Sequence, residues 1–412
     1  MSNRRSHTKS RAGCVQCKRR KVKCDETHPV CFHCKRHKVS CSFSESDADQ
    51  ASTWSSPAVS GFPSSTPSTY DFASAPWLGS PVGVSAHSDR MLPCPPQELW
   101  SRDLELMHHF CTVTAHTISA RHEAQPIWSV VLPREGYRHS YLLRGILSTA
   151  AIHKAFLLPN QRKTYLMLSD YHQAIGLEGY RAQLGHIDDQ NWEAMFGFAM
   201  LMVLYVMCMP VRSETQRLED PITSMIELIG VVRGIHSSLS PLTPRLYTSQ
   251  YAPLIYGTWP QDINKLLEEE RPSLEFTRLP PDTYDALDEL VSFLKTNLTS
   301  HSEKHYLAAV ELLRRTVKLV ANGGLSAECS AVFSWPSSIH QSIVLDIRNR
   351  NPHALVIVAY VAIVMASIEE SFWFSRGWGK PLVEEIDMLL GKHDRHLQLL
   401  EWPKSYIKKV YN

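Results

Sequence analysis

From Leu99 onward, apolar residues recur at helical spacing. Leu104, Met107, Cys111, Thr114 and Ile118 form one stripe, and Leu143, Ile146, Leu147, Ala150 and Ala151 form a second. Leu287, Leu290, Val291, Leu294 and Leu298 form a third. Residues three and four apart share a helix face, so each stripe predicts a helix with one side buried. Boundary residues agree. Asp220 before Pro221 reads as an N-cap followed by proline at the first helical position, and Gly323-Gly324 stop the run from Glu303 to Ala321. Two segments, Ala194 to Met209 and Ala354 to Ala366, are apolar nearly all round and are expected at the centre of the fold. The first is 16 residues long and is closed by Pro210. A membrane span needs about 20, so it is expected as a core helix and no span is expected. No sustained two-residue alternation bounded by hairpin turns occurs. Residues 99 to 412 therefore predict an all-α domain of ten or more helices.

The first of these apolar segments holds Met195, Met200, Met202, Met207 and Met209. Flexible thioether side chains suit both a packed core and a pocket that adapts to an apolar ligand, and the sequence leaves both open. Upstream, the pattern stops abruptly. Residues 42 to 98 contain 14 Ser, 8 Pro and 3 Gly, with no Lys and one Arg. Such a stretch cannot bury enough apolar surface to offset chain ordering, which predicts a disordered linker. Pro57, Pro63, Pro67, Pro76 and Pro81 also forbid a coiled coil there.

Charge divides the chain further. The formal net charge is +2, but residues 1 to 41 hold 12 Lys+Arg against only Asp25 and Glu26, leaving 31 Lys+Arg against 39 Asp+Glu in the rest. A basic head on an acidic body points to a polyanion partner for the head, nucleic acid first. Residues 1 to 13 are polar and basic, expected to be disordered, and lack the apolar stretch of a secretory signal. A reducing compartment follows, where clustered thiols bind metal more often than they form disulfides.

The head carries Cys14, Cys17, Cys24, Cys31, Cys34 and Cys41. Adding 17 to the first three positions gives the last three, so a C-x2-C-x6-C unit occurs twice. Thiolate-bound zinc is four-coordinate. Two zincs therefore need eight metal–sulfur bonds from six sulfurs, which works if two thiolates bridge. Pseudo-symmetry allows Cys14 with Cys31, Cys17 with Cys34, or Cys24 with Cys41. The basic intervals Lys18 to Lys23 and Lys35 to Ser40 each follow a C-x2-C turn and predict two short helices packed on the metals through Val22 and Val39. The first interval is the more basic and is the better candidate for the DNA major groove, where Lys and Arg donate to guanine O6 and N7.

This segment resembles the fungal zinc binuclear-cluster DNA-binding domain. The resemblance implies two Zn2+ per chain, bridging by Cys14 and Cys31, and a structural proline turn at Pro29. It further implies a nuclear transcription factor acting on RNA polymerase II promoters at CGG-type sites. By position, Lys21 would read bases with Arg20 assisting, while Lys18, Lys23 and Lys38 would contact phosphates. The run Lys18 to Lys23 could also serve in nuclear import. Many such proteins follow the cluster with a coiled coil. Its absence here assigns any homodimer to the C-terminal domain.

Residues 99 to 110, 141 to 153 and the Trp373 to Gly379 segment resemble the regulatory domain of fungal sterol uptake control proteins and of secondary-metabolite cluster regulators. That likeness implies an α-helical effector domain with an apolar small-molecule pocket and a role in a metabolic pathway. A ligand-sensing regulator tethered to chromatin by its head, or a repressor, is the alternative reading. The chain is not expected to be an enzyme: it has no G-x-S-x-G, P-loop, G-x-G-x-x-G or H-E-x-x-H sequence. The pairs His108 with His109 and His393 with His396 lack a third ligand nearby and read as ordinary surface or core histidines. The acidic interval Asp262 to Glu289 either recruits the transcription machinery or forms a solvated loop and helix face.

Overall fold

The computed structural model describes residues 14–19, 22, 24–27, 30–37, 39, 41, 96–214, 217–255, 270–298, 300–391 and 394–411. The expected disordered N-terminus and nearly all of the expected linker lie outside the described residues. The chain divides into two compact units, Met1–Pro67 and Ser68–Asn412. In the first, the short helices α1 (Val15–Arg19) and α2 (Phe32–Arg36) carry a buried cluster of cysteine side chains.

The second unit contains helices and no strand among the described residues. Its first half comprises α3 (Pro96–Thr112), α4 (Ser140–Leu157), α5 (Arg162–Gln183), α6 (Trp192–Met207) and α7 (Pro221–Leu239). Then follow α8 (Thr283–Asn297), α9 (Ser300–Gly323), α10 (Gln341–Arg348), α11 (Pro352–Ile368), α12 (Gly379–Leu390) and α13 (Asp394–Tyr411). Shorter helical turns connect several of them. The boundary signals act as the sequence predicts. Asp220 accepts the Thr223 N–H at 3.0 Å with Pro221 at the first helical position, and Gly324, past the end of α9, takes φ 57°.

Helices α4 and α5 form an antiparallel hairpin. Arg144 meets His172 at 3.0 Å and Ser148 meets Ser169 at 2.9 Å, so positions rise along one helix as they fall along the other. Phe198 of α6 packs where they cross, stacked on Tyr180 at 4.9 Å and edge-on to Tyr141 at 6.0 Å. Glycine makes this approach possible: a Cβ at Gly176 would lie 2.8 Å from the Phe198 ring. The second apolar helix, α11, is buried from Ala354 through Ile368, with α9, α10, α12 and α13 packed around it. Both all-round apolar segments are thus central, and hydrophobic burial at about 1.5 to 3 kcal/mol per large side chain is the main force holding them there. No single described helix is long and apolar enough to cross a membrane.

The tryptophan- and glycine-bearing segment from Trp373 to Gly379 forms joints between helices. The buried Glu369 carboxylate accepts N–H bonds from Gly377 (3.1 Å), Trp378 (3.1 Å) and Gly379 (2.8 Å), and the Tyr411 hydroxyl at 2.7 Å. It thereby ties α11, the turn before α12 and the C-terminal α13 into one node. Gly377 takes φ 91°, and a Cβ at Gly379 would come within 2.5 Å of the Ala366 Cβ, so this turn needs both glycines. Trp378 donates to the Met207 carbonyl at 2.8 Å. Trp373 donates to Thr117 at 2.9 Å and stacks on His153, which in turn meets Thr114 at 2.9 Å.

One stripe is corrected. Leu104 is exposed, whereas Met107 is buried as expected, Cys111 lies at the margin of the core, and α3 also buries Leu106 and Phe110. Thr114 and Ile118 are buried but lie beyond the end of α3, in and just after a 3-10 turn. The two other stripes face the core as predicted, with Val291, Leu143 and Leu298 at its margin. The acidic interval also resolves in part. Asp262 to Glu269 lie outside the described residues. Within the rest, Asp288 pairs with Arg271 and with Arg314 at 2.6 Å, and Asp285 with Arg271 at 2.9 Å, giving an ion-paired helix face.

Candidate metal centre and nucleic-acid interface

The duplication in the sequence reappears as duplicated hydrogen bonds. The Cys17 N–H donates to the Cys14 sulfur and the Cys34 N–H to the Cys31 sulfur, both at 3.4 Å. The Lys18 and Lys35 N–H groups donate to the Cys14 and Cys31 carbonyls, and those of Val22 and Val39 to the Cys17 and Cys34 carbonyls. Every pair is related by the 17-residue shift. The first cysteine of each unit therefore caps its own helix. Its sulfur satisfies an orphan N–H of the first turn, where the helix dipole favours negative charge.

This corrects the expected helix positions. Neither helix follows the C-x2-C turn; each starts one residue after its first cysteine and contains the second. A sulfur cap marks that start, each capping sulfur accepting the N–H three residues on. Val22 and Val39, expected to pack on the metals, are exposed. Both lie past the helix ends, and the interior they were to fill is occupied by sulfur. Val30 is the partly buried apolar residue against the cluster.

All six sulfurs are buried and fall into two groups of four, Cys14, Cys17, Cys24 and Cys31, and Cys14, Cys31, Cys34 and Cys41, each within 4.8 Å. Cys14 and Cys31 belong to both groups. The Cys14–Cys31, Cys14–Cys34 and Cys17–Cys31 sulfur pairs are each 3.6 Å apart. Sulfurs at tetrahedral corners about 2.3 Å from a zinc would be about 3.8 Å apart, so the spacing fits the metal. The acid–base balance fits as well. Burial opposes ionisation of Cys14, but hydrogen bonds from the Cys17 backbone and from the thiols of Cys17, Cys34 and Cys31 outweigh it and bring Cys14 down to about 6. Burial pushes Cys17 and Cys31 up, and Cys34 up to about 12. Thiols packed this closely ionise together only around cations, which supply the missing charge.

Asp25 has a structural part in the head that the cysteine spacing does not reveal. Its two carboxylate oxygens accept the Phe32 N–H at 3.0 and 3.1 Å, and Oδ2 accepts the Thr27 hydroxyl at 2.5 Å. The Thr27 hydroxyl, followed by the Phe32 N–H, holds this carboxyl below its ordinary range. Asp25 thus fastens the loop between the two cysteine units to the first turn of α2. The available signal was charge: Asp25 and Glu26 are the acidic residues of an otherwise basic head.

Lys18 lies exposed in the last turn of α1, next to Arg19, which is equally exposed and which no feature of the sequence singles out. Arg20, Lys21, Lys23, Lys38 and Pro29 lie outside the described residues. The geometry brings the six cysteines together and leaves the cations of α1 outside the sulfur cluster. In the body, the methionines divide: Met195, Met202 and Met207 are packed in the core, while Met200 lines a cavity. His109 lies 5.2 Å from the His153 ring and His396 4.7 Å from the His353 ring. Among the described residues, the groups able to hold a metal ion are the cysteine ones alone. His393 is outside the described residues.

Comparison with known proteins places this geometry. Residues 12–50 match the fungal Zn(2)-Cys(6) binuclear cluster domain. A Zn(2)-C6 fungal-type transcription factor of Gibberella zeae is 26% identical over 449 residues, covering 98% of this chain and 86% of that protein. The Zn(2)-C6 fungal-type transcription factor afumD of Aspergillus fumigatus is 28% identical over 208 residues, covering 49% of this chain and 48% of that protein. The cluster domain binds two zinc ions. With that domain at its head and one such transcription factor similar to it along nearly its whole length, the chain is a DNA-binding transcription regulator that carries a fungal zinc-cluster domain, and not an enzyme.

Proposed function

We propose that the chain is a sequence-specific nuclear regulator of a metabolic pathway, sterol-related or secondary-metabolic, that binds CGG-type sites through residues 14 to 41. Residues 42 to 98 tether that head to a regulatory body of residues 99 to 412. The observation that carries this reading is the division of the head into a buried sulfur interior and an exposed cationic α1. Cys14 and Cys31 bridge the two zincs, since they are the members common to both groups of four. Two zincs and six thiolates sum to −2, so the surrounding cations are only partly neutralised from within and the excess meets DNA phosphates. Lys21 reads guanine edges with Arg20 assisting. Lys18, Lys23 and Lys38 contact phosphates. Any dimer forms through the body.

The test is site selection from random duplexes with the zinc-loaded full chain, at stated salt because phosphate contacts make affinity salt-dependent. Enrichment of CGG half-sites is expected. Binding without sequence preference would leave a chromatin tether in place of a sequence reader.

A further inference from the structure

Helices α6, α7 and α9 and the segment from Ser330 to Ser338 leave between them a cavity of about 120 Å³. Its apolar walls come from Met200 and Val203 on α6, Val232 and Ile235 on α7 and Leu312 on α9. A void of about 40 Å³ adjoins it, sharing Met200, Val203 and Phe333. An apolar cavity of about 150 Å³ holds a benzene-sized body, so this space suits a small ring or a short alkyl chain.

The remaining wall is polar and cationic. Arg315, His236, Ser334, Ser337 and Ser338 face the same cavity. Ser334 lies 2.8 Å from the Thr316 hydroxyl and Ser337 3.1 Å from that of Ser338, a run of hydroxyls beside the guanidinium. The Arg315 Nε is buried without a hydrogen-bond partner, and among the described residues no carboxylate forms an ion pair with it. Burial lowers the pKa of Arg315, and burial first and the charge of Arg233 second lower that of His236, so the guanidinium is the charged group of this wall. A half-buried guanidinium whose Nε has lost water without gaining a partner is complementary to a carboxylate, which its planar fork binds through two parallel N–H donors.

We infer that this cavity is an effector site for a small organic acid, its aromatic or short-chain body among Met200, Val203 and Val232 and its carboxylate on Arg315 and the neighbouring serine hydroxyls. This rests on the reading of residues 99 to 412 as a regulatory domain, and deepens it by naming the chemistry sensed.

The experiment is calorimetric titration of the zinc-loaded full chain, without DNA, with phenylacetate and hexanoate and with their neutral counterparts 2-phenylethanol and hexanol. At least one acid should bind saturably at one site, about ten-fold tighter than its alcohol, the ratio a charge-assisted hydrogen bond provides. Arg315→Gln should bring the acid down to the affinity of the alcohol and leave the alcohol unchanged. Val203→Phe should abolish both. Arg315 is only half-buried, so its variant is expected to keep the helical circular-dichroism signal if Val203→Phe does not. The inference is overturned if neither acid binds, if acid and alcohol bind equally, or if Arg315→Gln retains the preference. Site-specific DNA binding is measured separately, so a protein that reads its site but binds no acid sinks this inference and spares the function. A protein that binds acid but reads no site does the reverse.

Discussion

The two units solve the problem of building an interior by opposite means. The body has an interior of whole helices: α11 is buried from Ala354 to Ile368, and Phe198, Trp335 and Trp378 are fully enclosed. Among the described residues, the head buries no comparable apolar side chain. Its buried positions are six cysteines with Val30 at the edge, while Val15, Val22, Phe32 and Val39 stand exposed. A segment of this size cannot supply enough hydrophobic burial to offset its ordering entropy, and metal ligation takes that role. The same division separates their functions. A sulfur interior needs few side chains, which frees the basic residues of the head for a polyanion, whereas a helical interior leaves space between elements where a ligand can enter.

The contrast can be broken most directly by removing metal. A strong chelator should abolish the fold of residues 14 to 41 and all site-specific DNA binding, while far-UV circular dichroism of the body persists. Loss of the body's signal at the same chelator concentration would show that the two units fold as one. Within the head, Cys14→Ala or Cys31→Ala should lower metal content from two zincs per chain to none, because each sulfur belongs to both groups of four. Cys24→Ala and Cys41→Ala each touch one group, and retention of one zinc is expected. Two zincs surviving in Cys14→Ala would refute the bridging assignment.

The converse variant attacks the body. Phe198→Ala removes the ring packed against Tyr141 and Tyr180 and should cost about 3 to 5 kcal/mol of body stability by denaturant titration, with zinc content unchanged. A pH scan adds a smaller effect of defined sign. Burial first, and the nearby His109 second, lower the pKa of His153 from 6.5 to about 4. The unfolded chain therefore binds this proton more readily. Stability is full above about 6.5 and is lost as pH falls toward about 4, by about 3 kcal/mol in all. Glu105, held at about 2 against burial by Lys154, Tyr165 and Arg102, acts in the same direction at lower pH, below about 4.5. His153→Gln should flatten the upper window relative to wild type in calorimetric melts. Identical pH profiles would remove His153 as its cause.

The smallest expected effect concerns readout. Lys21→Ala should lose about 1 to 3 kcal/mol of discrimination between CGG-type and random duplexes, while Lys38→Ala should weaken all duplexes alike and reduce the salt slope. An unchanged ratio in Lys21→Ala would assign base reading to other residues, Arg19 among them.

Much of the molecule is legible in its amino-acid order. Duplicated cysteine spacing implies a two-metal site because valence arithmetic leaves few alternatives for six thiolates. The 143–151 and 287–298 stripes identify buried faces because helical periodicity is set by backbone geometry. Failures occur where a neighbour decides. Leu104 fits the periodic pattern of α3, but the residues meeting the core are Leu106, Met107 and Phe110, a choice made by the elements that pack on that helix. Val22 and Val39 fit the expectation of an apolar contact, but sulfur fills the space.

What the sequence alone determined is therefore the metal stoichiometry, the polyanion-seeking charge of the head and the all-helical class of the body. Each follows from residue types and short-range spacing. Tertiary structure decided the rest. It made Asp25 the clasp between the two cysteine units, joined Glu369 to Gly377, Trp378, Gly379 and Tyr411, and set Arg315 beside an apolar cavity with no carboxylate partner among the described residues. Those partners lie far apart along the chain or depend on a cap geometry that spacing does not encode. In the body only the packing of whole helices, which minimises exposed apolar area over the entire unit, brings them within reach of one another, while in the head the cysteine cluster does so.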